Sequence, residues 1–578
     1  MELSMMKKLN VARTMIDVFG GYNHNLRISE NEFYDMKNLT SDDYPVLSPR
    51  RQRGIYAVPS SPSGMIAKDL LCYVDGEDFV MGTKKIAMGL SSEKPKHLIS
   101  MGAYVIIMPD KKYINTADID DAGDIEATVT TSSAVRFELC KLDGAAYENV
   151  TVGGRAPSSP ENMDLWIDTS SVPHTLKQYS KTSGEWVSVA TTYIKISATG
   201  IGKPFSEGDG VTISGAIDEG LSDLNNTMMI AAKGDDFIVV TGILDEMTTQ
   251  KEPIEVKRQM PIMDFIIESG NRLWGCRYGV ALNGETVNEI YASKLGDFKN
   301  WNCFAGISTD SYAATVGTDG RFTGAIEHLG YPLFFKENCM HKIYGNYPAT
   351  YQIQTTTCRG VQKGCDKSLA IVNEVLYYKS RSGICIYDGS LPSEISAAFG
   401  DESYYDAVGG ALGNKYYVSM AGQDGAWNLF VFDSAKGLWH REDDTQAVCF
   451  SSYRGDLFYL DYADKQIKSV KGTGVPESEP IEWEALTGVI GTDSPDKKYV
   501  SRMDVRMSLV AGSRVSFFAE YDSSGEWEYL FTMNGVKLQT FAIPIRPKRC
   551  DHMRLKIVGH GDVKIYSICK FTEWGSDS

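Results

Sequence analysis

The chain has 578 residues, 43% of them hydrophobic and 23% charged, with a formal net charge of −17. That balance describes a folded chain of roughly two to four domains and excludes a disordered one. The acidic excess argues against tight binding of phosphate backbones, which needs clustered Lys and Arg. No apolar run is long enough for a membrane-spanning helix. The start, MELSMMKKLNVARTM, holds no signal-peptide core, so synthesis and assembly in a cytoplasm are expected. Eleven cysteines lie scattered without a CxxC pair, which predicts reduced thiols, mostly buried.

Residues 1–60 read as an N-terminal arm, extended against the first repeat unit. It is turn-rich at Gly20-Gly21 and Asn23, and it closes on Arg50, Arg51 and Arg53. Residues 61–122 then hold two β-hairpins, opened by turns at Gly76 and Gly102.

The period breaks over 123–258. Alternating strands there (ATVTTSSAVRFELC, DLWIDTSSVPHTLKQYSKTSGEWVSV, DGVTISG) predict one or two inserted β-domains, one with the look of a small barrel. Long insertions into a loop cost little free energy. Acidic residues crowd 118–126 (Asp118, Asp120, Asp121, Asp124) and 205–250 (Glu207, Asp209, Asp218, Glu219, Asp235, Asp236).

Residues 259–476 resume the hairpins, and two of them set the pattern. GYPLFFKENCMHKIYG at 330–345 and NEVLYYKSRSGICIYDG at 373–389 repeat turn, apolar strand, polar turn and Ile-Tyr about 43 residues apart. Further units follow Gly270, Gly413 and Gly455, for about seven in all. The expected fold is therefore all-β: a β-propeller of about seven units, interrupted by the insertion. Helix signal is weak, the best case being Lys367 to Val372. A linker, VPESEPIE at 475–482, leads into the C-terminal part, 477–578, where strands near Val505–Val510, Val515–Ala519 and Met553–Val558 predict a C-terminal β-sandwich.

Signs of catalysis are absent. No two histidines sit at zinc-ligand spacing, no GxSxG, P-loop or HExxH motif occurs, and DIDDAGDIE departs from a calcium loop at Ala122 and Val129. No enzyme, cofactor or metal is expected. Trp166, Trp186, Trp427, Trp439 and Trp527 lie near turns, where they could stack on sugars or close a strand end.

The order GG-x-N, then NEF-x-DM-x-NL, then VLSPR within 20–50 resembles the N-terminus of phage tail structural proteins. These are the tail nozzle or tubular tail proteins of short-tailed phages and related prophage virion proteins. The hairpins GNRLW, EIYASKLGDFKNW and LFFKENCMHKIYG extend the likeness over most of 17–475, and RCDHMRLKIVGHGDVKIYSI at 549–568 resembles their C-terminal domains. The resemblance implies a virion protein assembled in the host cytoplasm. It would form a hexameric ring around the genome-ejection channel, in contact with a portal-side adaptor, other tail proteins and tail fibres. Double-stranded DNA would pass without tight binding. The acidic residues named above would face the channel, and Arg50, Arg51 and Arg53 would pair with carboxylates of a neighbouring subunit. The alternative is a tail-tip or fibre-associated propeller that binds host surface glycans.

Overall fold

A computed structural model describes residues 11–217, 220–281, 284–492, 497–535 and 537–574. Among these residues the chain is all-β, and its only helices are single 3-10 turns. The expected helix at 367–372 is instead a 3-10 turn, Asp366–Ser368, running into the strand Ala370–Val372. No helix among the described residues is long and apolar enough to cross a membrane.

Seven antiparallel sheets follow one another along the chain. The first spans Pro62–Ala67 to Lys84–Ala87 and the second His97–Met101 to Ala122–Asp124. The third runs from Phe265–Ser269 to Tyr312–Thr315, and the fourth from Gly324–His328 to Gln352–Thr357. The fifth, Ala370–Val372 to Ser393–Glu394, and the sixth, Tyr404–Leu412 to Leu438–Arg441, complete the four-stranded ones. The two pattern-setting hairpins are the second and third strands of the fourth and fifth sheets, with Phe335 opposite Met340 and Leu376 opposite Tyr387. Their opening turn needs a left-handed residue: Gly330 has φ +80° and Asn373 φ +48°. Asparagine tolerates that region better than most side chains, so both hairpins keep one register.

The seventh sheet is made by both ends of this region. Ala447–Tyr453, Asp456–Asp461 and Ile467–Ser469 are joined by Gly54–Ala57 from the N-terminal arm, which also pairs with Val475–Pro476. The arm was expected against the first unit; it is built into the last one. The first strands then touch in succession round a circuit. Tyr404–Leu412 meets Ala447–Tyr453, which meets Pro62–Ala67, which meets His97–Met101, which meets Phe265–Ser269, which meets Gly324–His328. The 3-10 turn Asp366–Ser368 links Gly324–His328 back to Tyr404–Leu412. A closed circuit leaves each sheet no open first edge to aggregate through.

The insertion begins after Ala122–Asp124, which belongs to the second sheet. Eight strands between Ala127–Thr130 and Glu255–Arg258 curl around one core that includes Phe137, Ile196, Val211, Ile238 and Val256. A separate four-stranded sheet covers Val150–Gly153 to Glu185–Ser188. Trp166 and Trp186 flank its strand Thr175–Ser180 and do not pair directly; their rings meet at 5.5 Å.

C-terminal strands form two further sheets, and the arm supplies an edge strand to each. Val11–Ile16 pairs with Val563–Trp574, and Phe33–Lys37 pairs with Glu482–Thr487. Val505, Met507 and Leu509 alternate inward along Lys498–Leu509, as their spacing predicts. Between the edge strands the arm crosses the interior. Phe19, Tyr22, Phe33, Met36, Leu39 and Leu47 are all buried in one core, shared by the fourth to sixth sheets and the C-terminal sheets.

Candidate functional site

The arm explains its own motif. Gly21 presses against the sixth sheet: a Cβ there would lie 2.2 Å from the Trp439 carbonyl oxygen. The next residue, Tyr22, donates its N–H to that same carbonyl at 2.6 Å and sets its ring against Phe399 and Phe430. Asn23 donates its side-chain amide to Glu32 at 3.0 Å. The GG-x-N and NEF elements are thus two halves of one packed strap.

Two of the three arginines of the arm are corrected by the structure. Arg53 is 3% exposed and pairs within its own chain, with Glu442 at 2.8 Å and Asp443 at 2.7 Å. It also donates to Thr445 and Tyr459. Arg50 reaches Asp443 at 3.4 Å and Glu477 at 3.2 Å. Burial favours neutral acids, but the two guanidinium groups outweigh it and hold the Asp443 carboxyl down at about 2. Neither arginine is free to meet a neighbour. Arg51 is: it is exposed, at a recess of about 510 Å³ that it shares with Lys415, Lys436 and Lys471.

The acidic positions divide similarly. Asp118 and Asp120 are exposed in the turn before the fourth strand of the second sheet, and Asp124 is exposed on that strand. This is the edge farthest from the first strands. Asp121 accepts from Tyr104 and Asn115, and Asp124 pairs with Lys112 at 2.9 Å. Glu207, Asp235 and Asp236 are exposed on the insertion. Asp209 is a second correction. It is 3% exposed, paired with Arg258 at 2.5 Å and bonded by Asn300 at 2.9 Å. It anchors the insertion to the third sheet and faces no channel. Asp218 and Glu219 lie outside the described residues. Of the turn-proximal tryptophans, Trp166 and Trp439 are buried core residues.

The site with the most converging chemistry was not singled out by the sequence. The first strands of the sheets, with the turn at 366–369, enclose an axial cavity of about 610 Å³. Its polar groups come from separate sheets. His97 opens the first strand of the second sheet, and one ring nitrogen, Nε2, lies 2.9 Å from the Ile266 carbonyl oxygen. Asp264 precedes the third sheet and accepts the Tyr278 N–H at 2.8 Å. Asp366 and Lys367 enter from the 3-10 turn before the fifth, and Lys367 donates to the Val448 carbonyl at 3.1 Å. Lys96 at the wall is sealed in an ion pair with Asp110. His97 is exposed to the cavity yet enclosed by protein around it. Burial lowers its pKa, the Ile266 bond and Asp366 oppose that, and Lys367 adds to it. The usable signal was a charged or imidazole residue at the start of the second, third and fifth units, but only the closed circuit brings those residues together.

No family model and no curated protein matches this chain. Among solved structures it is similar to an exo-β-1,3-galactanase from Phanerochaete chrysosporium with galactose, at 8% identity and a TM-score of 0.20, over 52% of this chain and 95% of that one. It is similar to Trypanosoma rangeli sialidase in complex with sialic acid at 10% identity and a TM-score of 0.22, over 91% and 95%. A puromycin hydrolase matches at 11% identity and a TM-score of 0.21, over 71% and 61%. Identities and TM-scores this low carry no ligand, activity or residue role to this chain. They do correct one expectation. The matched chains are enzymes, so the statement that the chain is not an enzyme is withdrawn.

Proposed function

We propose that the seven sheets are blades of one β-propeller, and that the two C-terminal sheets with the strands Val11–Ile16 and Phe33–Lys37 form a β-sandwich clamped to it. We propose further that the chain is a nozzle-like structural subunit of a phage tail. Copies form a hexameric ring around the genome-ejection channel, beneath a portal-side adaptor and in contact with other tail proteins and fibres, in a virion assembled in the host cytoplasm. The observation that carries this reading is the strap. The stretch 18–50, whose pattern resembles tail nozzle proteins, supports a mechanical role. It joins the sixth sheet, through Gly21 and Tyr22, to the C-terminal core, through Phe33 and Met36.

Such a strap resists shear because it packs the fourth to sixth sheets and the C-terminal sheets into one shared core. Within the ring, the exposed Asp118, Asp120, Asp124, Glu207, Asp235 and Asp236 are the residues left to keep passing double-stranded DNA from sticking. Arg51 with Lys436 and Lys471 is the basic patch left for a neighbour's carboxylates. A ring of this kind uses two different patches per subunit, one meeting the other across each contact. The test is mass spectrometry of gradient-purified particles with immunogold labelling against the insertion. Label confined to the tail supports the reading; absence from particles refutes it.

A further inference from the structure

We propose that the axial cavity is a binding site for a small, neutral, hydroxyl-rich ligand, a mono- or disaccharide in class. This goes beyond the tail-ring reading and stands without it. The cavity, at about 610 Å³, falls within the roughly 300–1,000 Å³ of small-molecule sites. Its walls come from six of the seven sheets and from the turn at 366–369, so its shape is fixed by the fold and not by one loop.

The polar groups left over select the ligand. Among the described residues the Asp366 carboxylate has no hydrogen bond or ion pair, although Lys367 is its neighbour in sequence. The Lys367 ammonium makes one bond, to the Val448 carbonyl, of the three it can donate. His97 directs Nε2 at the Ile266 carbonyl, so in the neutral ring Nε2 carries the hydrogen and Nδ1 is a free acceptor. Lys96 is already neutralised by Asp110, while the Asp264 carboxylate accepts one backbone N–H and keeps further lone pairs for a ligand hydroxyl.

Two carboxylates with spare acceptor sites, one ammonium with spare donors and one imidazole acceptor do not suit a phosphate, which needs an excess of cations. Nor do they suit a metal ion: among the described residues no three His, Cys, Asp or Glu side chains converge closely enough to hold one. They suit hydroxyls, which donate to Asp366 and His97 and accept from Lys367. Much of the remaining wall is apolar, with Met65, Met263, Leu369 and Phe450 among its residues, and Ser63 adds a buried hydroxyl that has no hydrogen-bond partner among the described residues. A sugar ring presents hydroxyls at its rim and C–H groups on its face, so it meets both kinds of wall. A free amino acid would satisfy Asp366 and Lys367 but would leave Nδ1 of His97 and most of the apolar wall unmet.

The experiment uses the full chain and defined probes: glucose, galactose, N-acetylglucosamine, lactose, glycine and inorganic phosphate. Saturation-transfer NMR detects the bound probe, and the His97 imidazole resonances report the place. The proposal expects transfer to at least one sugar, a shift of His97, and a loss of affinity of about tenfold in Asp366→Asn and in Lys367→Met, each with an unchanged melting midpoint. If one variant does not fold, the other carries the test. No transfer to any sugar, tighter binding of glycine or phosphate, or sugar binding untouched by both substitutions overturns the proposal. Because the assay needs no particle, its failure is separate from failure of the tail-ring reading.

Discussion

Removing Arg53 separates a structural role from an interface role. Arg53→Met keeps most of the volume and deletes the charge. It leaves Glu442 without its partner at 2.8 Å and leaves Asp443 with only Arg50 at 3.4 Å. Breaking a buried pair from one side costs about 3–5 kcal/mol, because an uncompensated charge remains inside. An independent bound comes from Asp443. Its carboxyl, lowered from 3.8 to about 2, represents about 2 kcal/mol of preference for the charged form in the fold. The sign follows from that depression: the contribution is complete above pH 3.8 and is lost as pH falls towards about 2. The two figures together predict a loss of about 3–4 kcal/mol near neutral pH, read as a lower midpoint in urea denaturation followed by tryptophan fluorescence. Adding Glu442→Gln and Asp443→Asn should recover a large part of the loss, since no buried charge is then left alone. Arg51→Glu, at the exposed neighbour, should change the midpoint by no more than about 0.5 kcal/mol. An Arg53→Met protein with a wild-type midpoint and impaired self-association would refute the reasoning and restore Arg53 to a subunit contact.

Three further outcomes follow from the same packing. Leu39→Ala in the strap should cost about 2–5 kcal/mol, and Gly21→Ala should force the strap off the Trp439 carbonyl; limited proteolysis within 17–50 reads both, and wild-type resistance in both would count against the strap. Burial, reinforced by Lys336, lowers His341 to about 4, so stability should fall as pH drops from 6.5 towards 4; His341→Gln should flatten that slope, and an unchanged slope would remove His341 as its source. All eleven cysteines are free and nine are buried, with Cys72 raised to about 12 by burial, so alkylation should be slow in the native chain and complete after denaturation; a mass deficit from a bridged pair would contradict this.

Local rules made much of the fold legible. The hairpins around Gly330 and Asn373 were readable because a left-handed turn and alternating apolar residues lie within a few positions of each other. The alternation at Val505, Met507 and Leu509 was readable for the same reason. What escaped was the pairing of distant segments. Nothing near Gly54–Ala57 announces that its partners are Ile467–Ser469 and Val475–Pro476. The same holds for Val11–Ile16, whose partner is Val563–Trp574. Charge was misleading where burial decided the outcome. Arg53 and Asp209 look like surface residues in composition, yet each sits with a partner far away in sequence. The axial cavity was illegible because His97, Asp264 and Asp366 become neighbours only when the circuit of sheets closes. One consequence concerns residues 477–578. Their strands share a core with the fourth to sixth sheets, so deleting them would unfold the chain and could not isolate a docking role.

The most direct measurement of the central claim is an electron cryomicroscopy reconstruction of the tail of purified particles. The account predicts a ring of copies of this chain around an open channel. The C-terminal sheets should be seated against the propeller, and Arg51 should lie at the contact between subunits. Density for the chain as isolated copies at a fibre tip, or no density for it in the tail, would contradict the account.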